Sequence, residues 1–177
     1  LGEANEHAGT LSPFLGGGSY DHFIPAVVDT IASRGEFYTS YTPYQPEVSQ
    51  GNLQVMFEYQ TLIARLTGMD VSNSSVYEGA SAAAEAVLMA MSHTKRHGRV
   101  VTSASVHPEY RQTIHTYLAN LDTEIVTVPT DGGTTSMAEL EATVNKNTAC
   151  VLVQHPNFFG CLEHVRDASR LAHQAGA

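Results

Sequence analysis

Four short stretches of this sequence carry side chains with the means to bind or transform a small molecule. Val106-His107-Pro108 sets an imidazole directly before a proline. Proline disfavours the helical region for the residue before it, so His107 is held extended and its ring can leave the helix that Pro108 opens. There it either lies against a planar ligand or serves as a helix-entry residue. Glu78-Gly79-Ala80-Ser81, followed by alanines, presents backbone N–H groups at a helix start, where an anion is favoured, and Ser81 adds a hydroxyl. Glu78 works against that reading, because its carboxylate competes with a phosphate for the same field; a bound phosphate requires Glu78 to turn away. The plainer alternative is a glycine that lets a helix pack closely on a sheet.

In Gln154-His155-Pro156-Asn157-Phe158-Phe159-Gly160, a rigid loop offers Asn157 to a ring substituent or a carboxylate, or else is a turn over a buried aromatic pair. In Tyr41-Thr42-Pro43-Tyr44-Gln45-Pro46-Glu47-Val48-Ser49-Gln50-Gly51, two prolines pin the backbone while Tyr41, Tyr44, Gln45 and Glu47 project from it. Loops with such preset side chains are often binding surfaces. The alternative is a surface loop whose tyrosines pack on their own helix.

Other chemistries lack their residues. The two lysines, Lys95 in a polar helix end and Lys146 between asparagines, have none of the shielding that a Schiff-base lysine needs. His93 and His97 stand four apart without a carboxylate to complete a metal set, so a frayed basic helix end is expected and no metal. No phosphate-loop or dinucleotide fingerprint is present. A net charge of -9 and the absence of Trp argue against nucleic acid or an anionic membrane as the main partner. No run approaches the roughly 20 apolar residues of a membrane span. Cys150 lies in an apolar run and reads as a small buried hydrophobe, and the two cysteines form no disulfide framework, which fits a reducing compartment.

The elements that must position these stretches follow from periodicity. Asp21 to Ser33 reads as a short helix with Asp21 as N-cap, and Ser49 opens a longer one that Gly68 stops. Thereafter strands and helices alternate. Val100-Val101-Thr102, Ile125 to Val128 and Cys150 to Val153 are strands. Ala82–Met91, Pro108–Leu121, Ser136–Val144 and Glu163–Gln174 are helices, with a turn at Asp131-Gly132-Gly133. Three short apolar strands, each followed by a helix at a spacing near 25 residues, predict an α/β fold of three layers around a mainly parallel sheet. The expected division is an N-terminal loop and short-helix segment, 1–48, and a partial α/β large domain, 49–177. Ligands of such sheets bind beyond the carboxyl ends of the strands, which points to Tyr77–Ser81, Ala104–His107, Thr130–Thr134 and Gln154–Gly160. With Leu first and a strand expected after the last helix, the sequence reads as a piece of a longer chain.

Together these stretches resemble one family. The Tyr41–Gly51 run, Phe57-Glu58-Tyr59-Gln60-Thr61-Leu62-Ile63 with Leu66-Thr67-Gly68, Asn73 to Ala82, Val106 to Arg111 and Gln154 to Gly160 are similar to the P-protein of the glycine cleavage system. The Tyr77-Glu78-Gly79-Ala80 version resembles the separate first subunit of two-subunit bacterial enzymes more than the fused single chain. The resemblance implies an incomplete fold-type-I pyridoxal 5'-phosphate (PLP) enzyme of the cytoplasm. It would decarboxylate glycine and pass the aminomethyl group to the lipoyl arm of H-protein, as part of a heterotetramer. The cofactor accepts the electrons released as carbon dioxide departs, and protein controls orientation and access of water.

It further implies that His107 stands where the family stacks on the cofactor ring, with Ala80 and Ser81 at the phosphate loop. Asn157 joins them as a candidate cofactor contact. Tyr41, Tyr44 and Glu47 lie near the approach of glycine and lipoate and are the candidate catalytic residues. In two-subunit members the second P-protein subunit carries the lysine and the cofactor, which would leave His107 and Ser81 as relics of a duplicated pocket. Two rivals remain. An aminotransferase or cysteine desulfurase relative predicts a lysine and a carboxylate partner for the pyridine nitrogen further along the same chain. A catalytically silent scaffold subunit predicts that Tyr41, Tyr44 and Glu47 are replaceable.

Overall fold

The computed structural model describes residues 11–12, 14–18 and 22–177. They group into two compact units, one of residues 20–76 and one of residues 77–177 with the described part of the first nineteen. The sequence division at 48/49 falls inside the first unit, because the long helix groups with the segment before it.

The first unit holds α1 (Ala26–Ala32), α2 (Gly35–Tyr38) and α3 (Gln50–Thr67). The expected cap Asp21 lies outside the described residues. The helix begins only after Pro25, whose ring keeps Ile24 from helical geometry. α3 follows Ser49 and ends at Gly68, which takes the left-handed conformation (φ 72°) that a side chain would resist. None of the three helices contains a buried residue; Val27, Ile31, Phe57 and Leu62 are exposed.

The second unit runs α4 (Gly79–Thr94), β1 (Arg99–Ser103), α5 (Pro108–Leu118), β2 (Glu124–Val128), β3 (Thr130–Asp131), β4 (Thr134–Thr135), α6 (Met137–Thr143), β5 (Thr148–Leu152) and α7 (Val165–Gln174). β2, β1 and β5 form a parallel sheet in that order, with Val101 opposite Val126 on one side and Val151 on the other. The glycine turn closes a hairpin of β3 and β4. No strand precedes α4, since residues 71–76 take no regular form. Tyr77–Ser81 is therefore not a strand-tip loop as expected.

β1 is buried on both faces, and its alternating side chains divide the core in two. Val100 packs with Val87 and Met91 of α4 and Ile114 and Leu118 of α5. Val101 packs with Val128, Leu140 of α6 and Ala168 of α7. Helices thus cover both faces, which makes three layers. Each fully buried aliphatic side chain contributes about 1.5–3 kcal/mol, so these two clusters hold the unit together. The chain passes from β1 to β2 and then back across β1 to β5, which puts the topological switch point at the carboxyl ends of β1 and β5. Among the described residues no helix is long and apolar enough to cross a membrane.

Candidate functional site

Beyond the tips of β1 and β5 the backbone is fixed by a buried polar network. Glu163, only 8% exposed, lies just before α7 rather than inside it as the sequence suggested. Its carboxylate accepts hydrogen bonds from the Ser105 hydroxyl (2.6 Å), the Asn157 amide (2.7 Å) and the Thr135 backbone N–H (2.9 Å). Burial alone would raise its pKa. The hydrogen bonds from Asn157, Ser105 and Thr135 outweigh that and hold it below the usual carboxylate range. Ser105 gives its one proton to Glu163, so in the 2.7 Å contact between Ser103 and Ser105 the Ser103 hydroxyl is the donor. Thr135 in turn donates to Ser103 at 2.7 Å. Three hydroxyls from β1, its following loop and β4 therefore run in file to one anion.

Asn157 is fully buried and completely engaged. Its Nδ2 donates to the Gly133 carbonyl (2.8 Å) and to Glu163, while its Oδ1 accepts from the N–H groups of Phe159 and Cys161, each at 3.0 Å. Two donors and two lone pairs are all it has. The structure gives Asn157 the task of fastening its loop, with nothing left over for a ligand. Gln154 takes its own bridging role, accepting from the His107 N–H (2.9 Å) and donating to the Gly16 carbonyl (3.1 Å).

His107 has the extended backbone that Pro108 demands (φ -44°, ψ 128°) and caps α5, its Nδ1 accepting from the Glu109 N–H at 3.2 Å. Its ring lies against Tyr110, one turn on, with centroids 5.1 Å apart and planes inclined by 30°. Phe158 meets it edge-on at 4.9 Å. The helix-entry reading thus describes His107 as it stands. Tyr110, which the motifs did not single out, was signalled only by being an aromatic three positions after His107 on a helix.

At the start of α4, Glu78 does not turn away. One carboxylate oxygen accepts from the Ala80 N–H (2.5 Å); the other accepts from the Ser81 N–H (2.7 Å) and from the Ser81 hydroxyl. The Ser81 hydroxyl and N–H, and the Ala80 N–H, keep this exposed carboxylate below its ordinary pKa. A β-carbon at Gly79 would collide with the hydroxyl end of Tyr110, so a side chain there would have to displace that ring. As they stand, Ala80, Ser81, His107 and Asn157 do not fit a phosphorylated ring. The amides are capped, a face of the imidazole is covered and the asparagine is saturated.

Tyr41, Tyr44 and Glu47 lie in the other unit. Tyr41 and Tyr44 are 89% and 83% exposed, and Glu47 is exposed as well. They project from a backbone held by turns, with Tyr44 N–H donating to the Thr42 carbonyl (2.9 Å) and Ser49 N–H to the Gln45 carbonyl (3.0 Å). Lys95 and Lys146 are exposed, and among the described residues no three His, Cys, Asp or Glu side chains converge to hold a metal ion. Cys150 is half-buried against the α4–α5 core, and burial pushes its thiol up to about 11.

Comparison with known proteins gives one answer. The model of the family described as glycine cleavage system P-protein matches residues 3–177. A Geobacillus kaustophilus protein named "Probable glycine dehydrogenase (decarboxylating) subunit 1" is 52% identical over 174 residues, which are 98% of this chain and 39% of that protein. The protein of the same name from Carboxydothermus hydrogenoformans is 54% identical over 173 residues, with the same coverage. Among solved structures, an inhibitor-bound glycine decarboxylase (P-protein) of the glycine cleavage system superposes with a TM-score of 0.85 at 46% identity, over 99% of this chain and 40% of that one. The sequence thus spans about two fifths of the length of the relatives it matches.

Proposed function

The chain belongs to the glycine cleavage system P-protein family, and from that premise we propose that it forms part of the first subunit of a two-subunit glycine decarboxylase. The observation that carries this is the match over nearly its whole length to relatives named as subunit 1. In this reading the assembly decarboxylates glycine and hands the aminomethyl group to the lipoyl arm of H-protein. PLP is held by the companion subunit in this reading, which the candidate phosphate loop here supports, its amides being already capped by Glu78.

This chain then acts through shape and hydrogen bonding. The Tyr41–Gly51 segment offers two phenols and a carboxylate on a backbone that Pro43 and Pro46 restrict, so little ordering is needed when a partner or substrate meets it. We assign Tyr41, Tyr44 and Glu47 to the companion's glycine and lipoyl approach, where they bind, orient and exclude water.

Glycine–bicarbonate exchange with H-protein, measured with both full-length subunits present, tests the assignment. Replacing Tyr41 and Tyr44 by Phe and Glu47 by Gln together is expected to lower exchange at least about tenfold, or some 1.4 kcal/mol of transition-state stabilisation. Undiminished exchange would leave only a scaffold role for this loop. Exchange by the first subunit alone would contradict the division of labour.

A further inference from the structure

We propose that the cofactor position of this chain is filled by the chain itself. The Glu78 carboxylate occupies the anion seat at the start of α4, and the Tyr110 ring occupies one face of His107. A phosphorylated aromatic molecule would enter only when both are removed. The inference rests on the assignment of PLP to the companion subunit and explains what excludes it here.

The anion seat comes first. Glutamate is not among the favoured N-cap residues, which are Asn, Asp, Ser, Thr and Gly. Its longer side chain lets the two oxygens of Glu78 reach separate donors, the N–H groups of Ala80 and Ser81, and the Ser81 hydroxyl as well. Those are the groups that the helix start would otherwise turn to a phosphate. A tethered carboxylate meets them at a very high effective concentration, and its charge repels a second anion.

The ring position is argued independently. Tyr110 lies along one face of the His107 imidazole, and its hydroxyl end stands where a β-carbon of Gly79 would be. An aromatic ring therefore spans from the imidazole to Gly79, the first residue of α4, next to the anion seat. Phe158 also meets the imidazole, edge-on, and Asn157 is saturated. Ring and anion together imitate the shape of a phosphorylated aromatic ligand, using side chains of α5 and of the residue before α4. A capped helix alone would explain Glu78; it would not explain an aromatic placed between cap and histidine.

The test uses the full-length polypeptide and pyridoxamine 5'-phosphate, which lacks the aldehyde and so cannot be captured by lysines. Binding is followed by equilibrium dialysis for the unaltered protein and for Glu78→Ser with Tyr110→Ala; serine keeps a capping oxygen and removes the charge. No saturable binding is expected for the unaltered protein up to about 1 mM, with binding at least about tenfold tighter in the double variant and competed by inorganic phosphate. Stoichiometric binding by the unaltered protein would overturn the proposal, as would a double variant of unchanged circular dichroism that gains nothing. If the double variant does not fold, Glu78→Ser alone decides. Inorganic phosphate should raise its melting temperature and leave that of the unaltered protein unmoved, and the absence of that difference also overturns the proposal. None of these readouts depends on glycine exchange, so failure of the exchange assay and failure here are told apart.

Discussion

Replacing Glu163 by glutamine keeps the length of the side chain and removes its charge, and the surroundings make the change costly. Three donors point at the carboxylate, from Ser105, Asn157 and the Thr135 backbone. An amide NH2 would face a donor, leaving at least one buried polar group unpaired at a cost of about 1–3 kcal/mol. A carboxylate with a lowered pKa stabilises the fold above its unfolded-state pKa, and that contribution is lost as pH falls through the folded value. Urea melts should therefore show Glu163→Gln less stable at neutral pH, with the difference narrowing in acid. A constant gap across pH would show that the charge does not matter. This residue's importance is not legible in the sequence, because its partners lie 6, 28 and 58 positions away. Glu78 is the contrary case. Its neighbours in space are its neighbours in sequence, so competition between its carboxylate and an anion was visible from the four residues alone.

At the scale of elements, runs of β-branched residues and the prolines and glycines between them wrote β1, β2, β5, α3 and α5 plainly into the sequence. The β3–β4 hairpin was legible only as its turn, since two-residue strands have no period to detect. α1 starts later than its apolar face suggested because Pro25 acts on the residue before it. Gly132 and Gly133 show why that turn needs glycine, with φ of 56° and 89°. At Gly133 a β-carbon would also stand 3.1 Å from the Cys161 sulfur. Gly133→Ala is expected to cost about 1–2 kcal/mol. Gly51→Ala, in the first turn of α3 where a β-carbon meets nothing, should be neutral or stabilise by up to about 1 kcal/mol. Thermal melts of the two variants check the contrast; equal shifts would refute it.

For the molecule as a whole, burial is distributed very unevenly. The unit built on the sheet has two apolar clusters on either side of β1, whereas the helices of residues 20–76 bury no residue at all. Few buried contacts mean a low free energy of local opening. In a 177-residue preparation, amide hydrogen exchange should be fast along α3 and slow at Val100 and Val101; comparable protection in both would show that α3 has found cover. Periodicity revealed α3 as a helix, since its apolar residues recur at helical spacing. What covers those residues was not legible, because a period identifies a face and not its counterpart.

The file of hydroxyls from Thr135 through Ser103 and Ser105 has a consequence for order. In ice, each oxygen can point its protons several ways, and the crystal keeps that freedom as residual entropy. Here an anion at one end removes the choice, so the three O–H dipoles of the file align toward Glu163 and the file has one orientation. A neutral acid in that place would return the freedom to reverse. The tips of β1 and β4 are thus polarised in a single sense before any other molecule arrives.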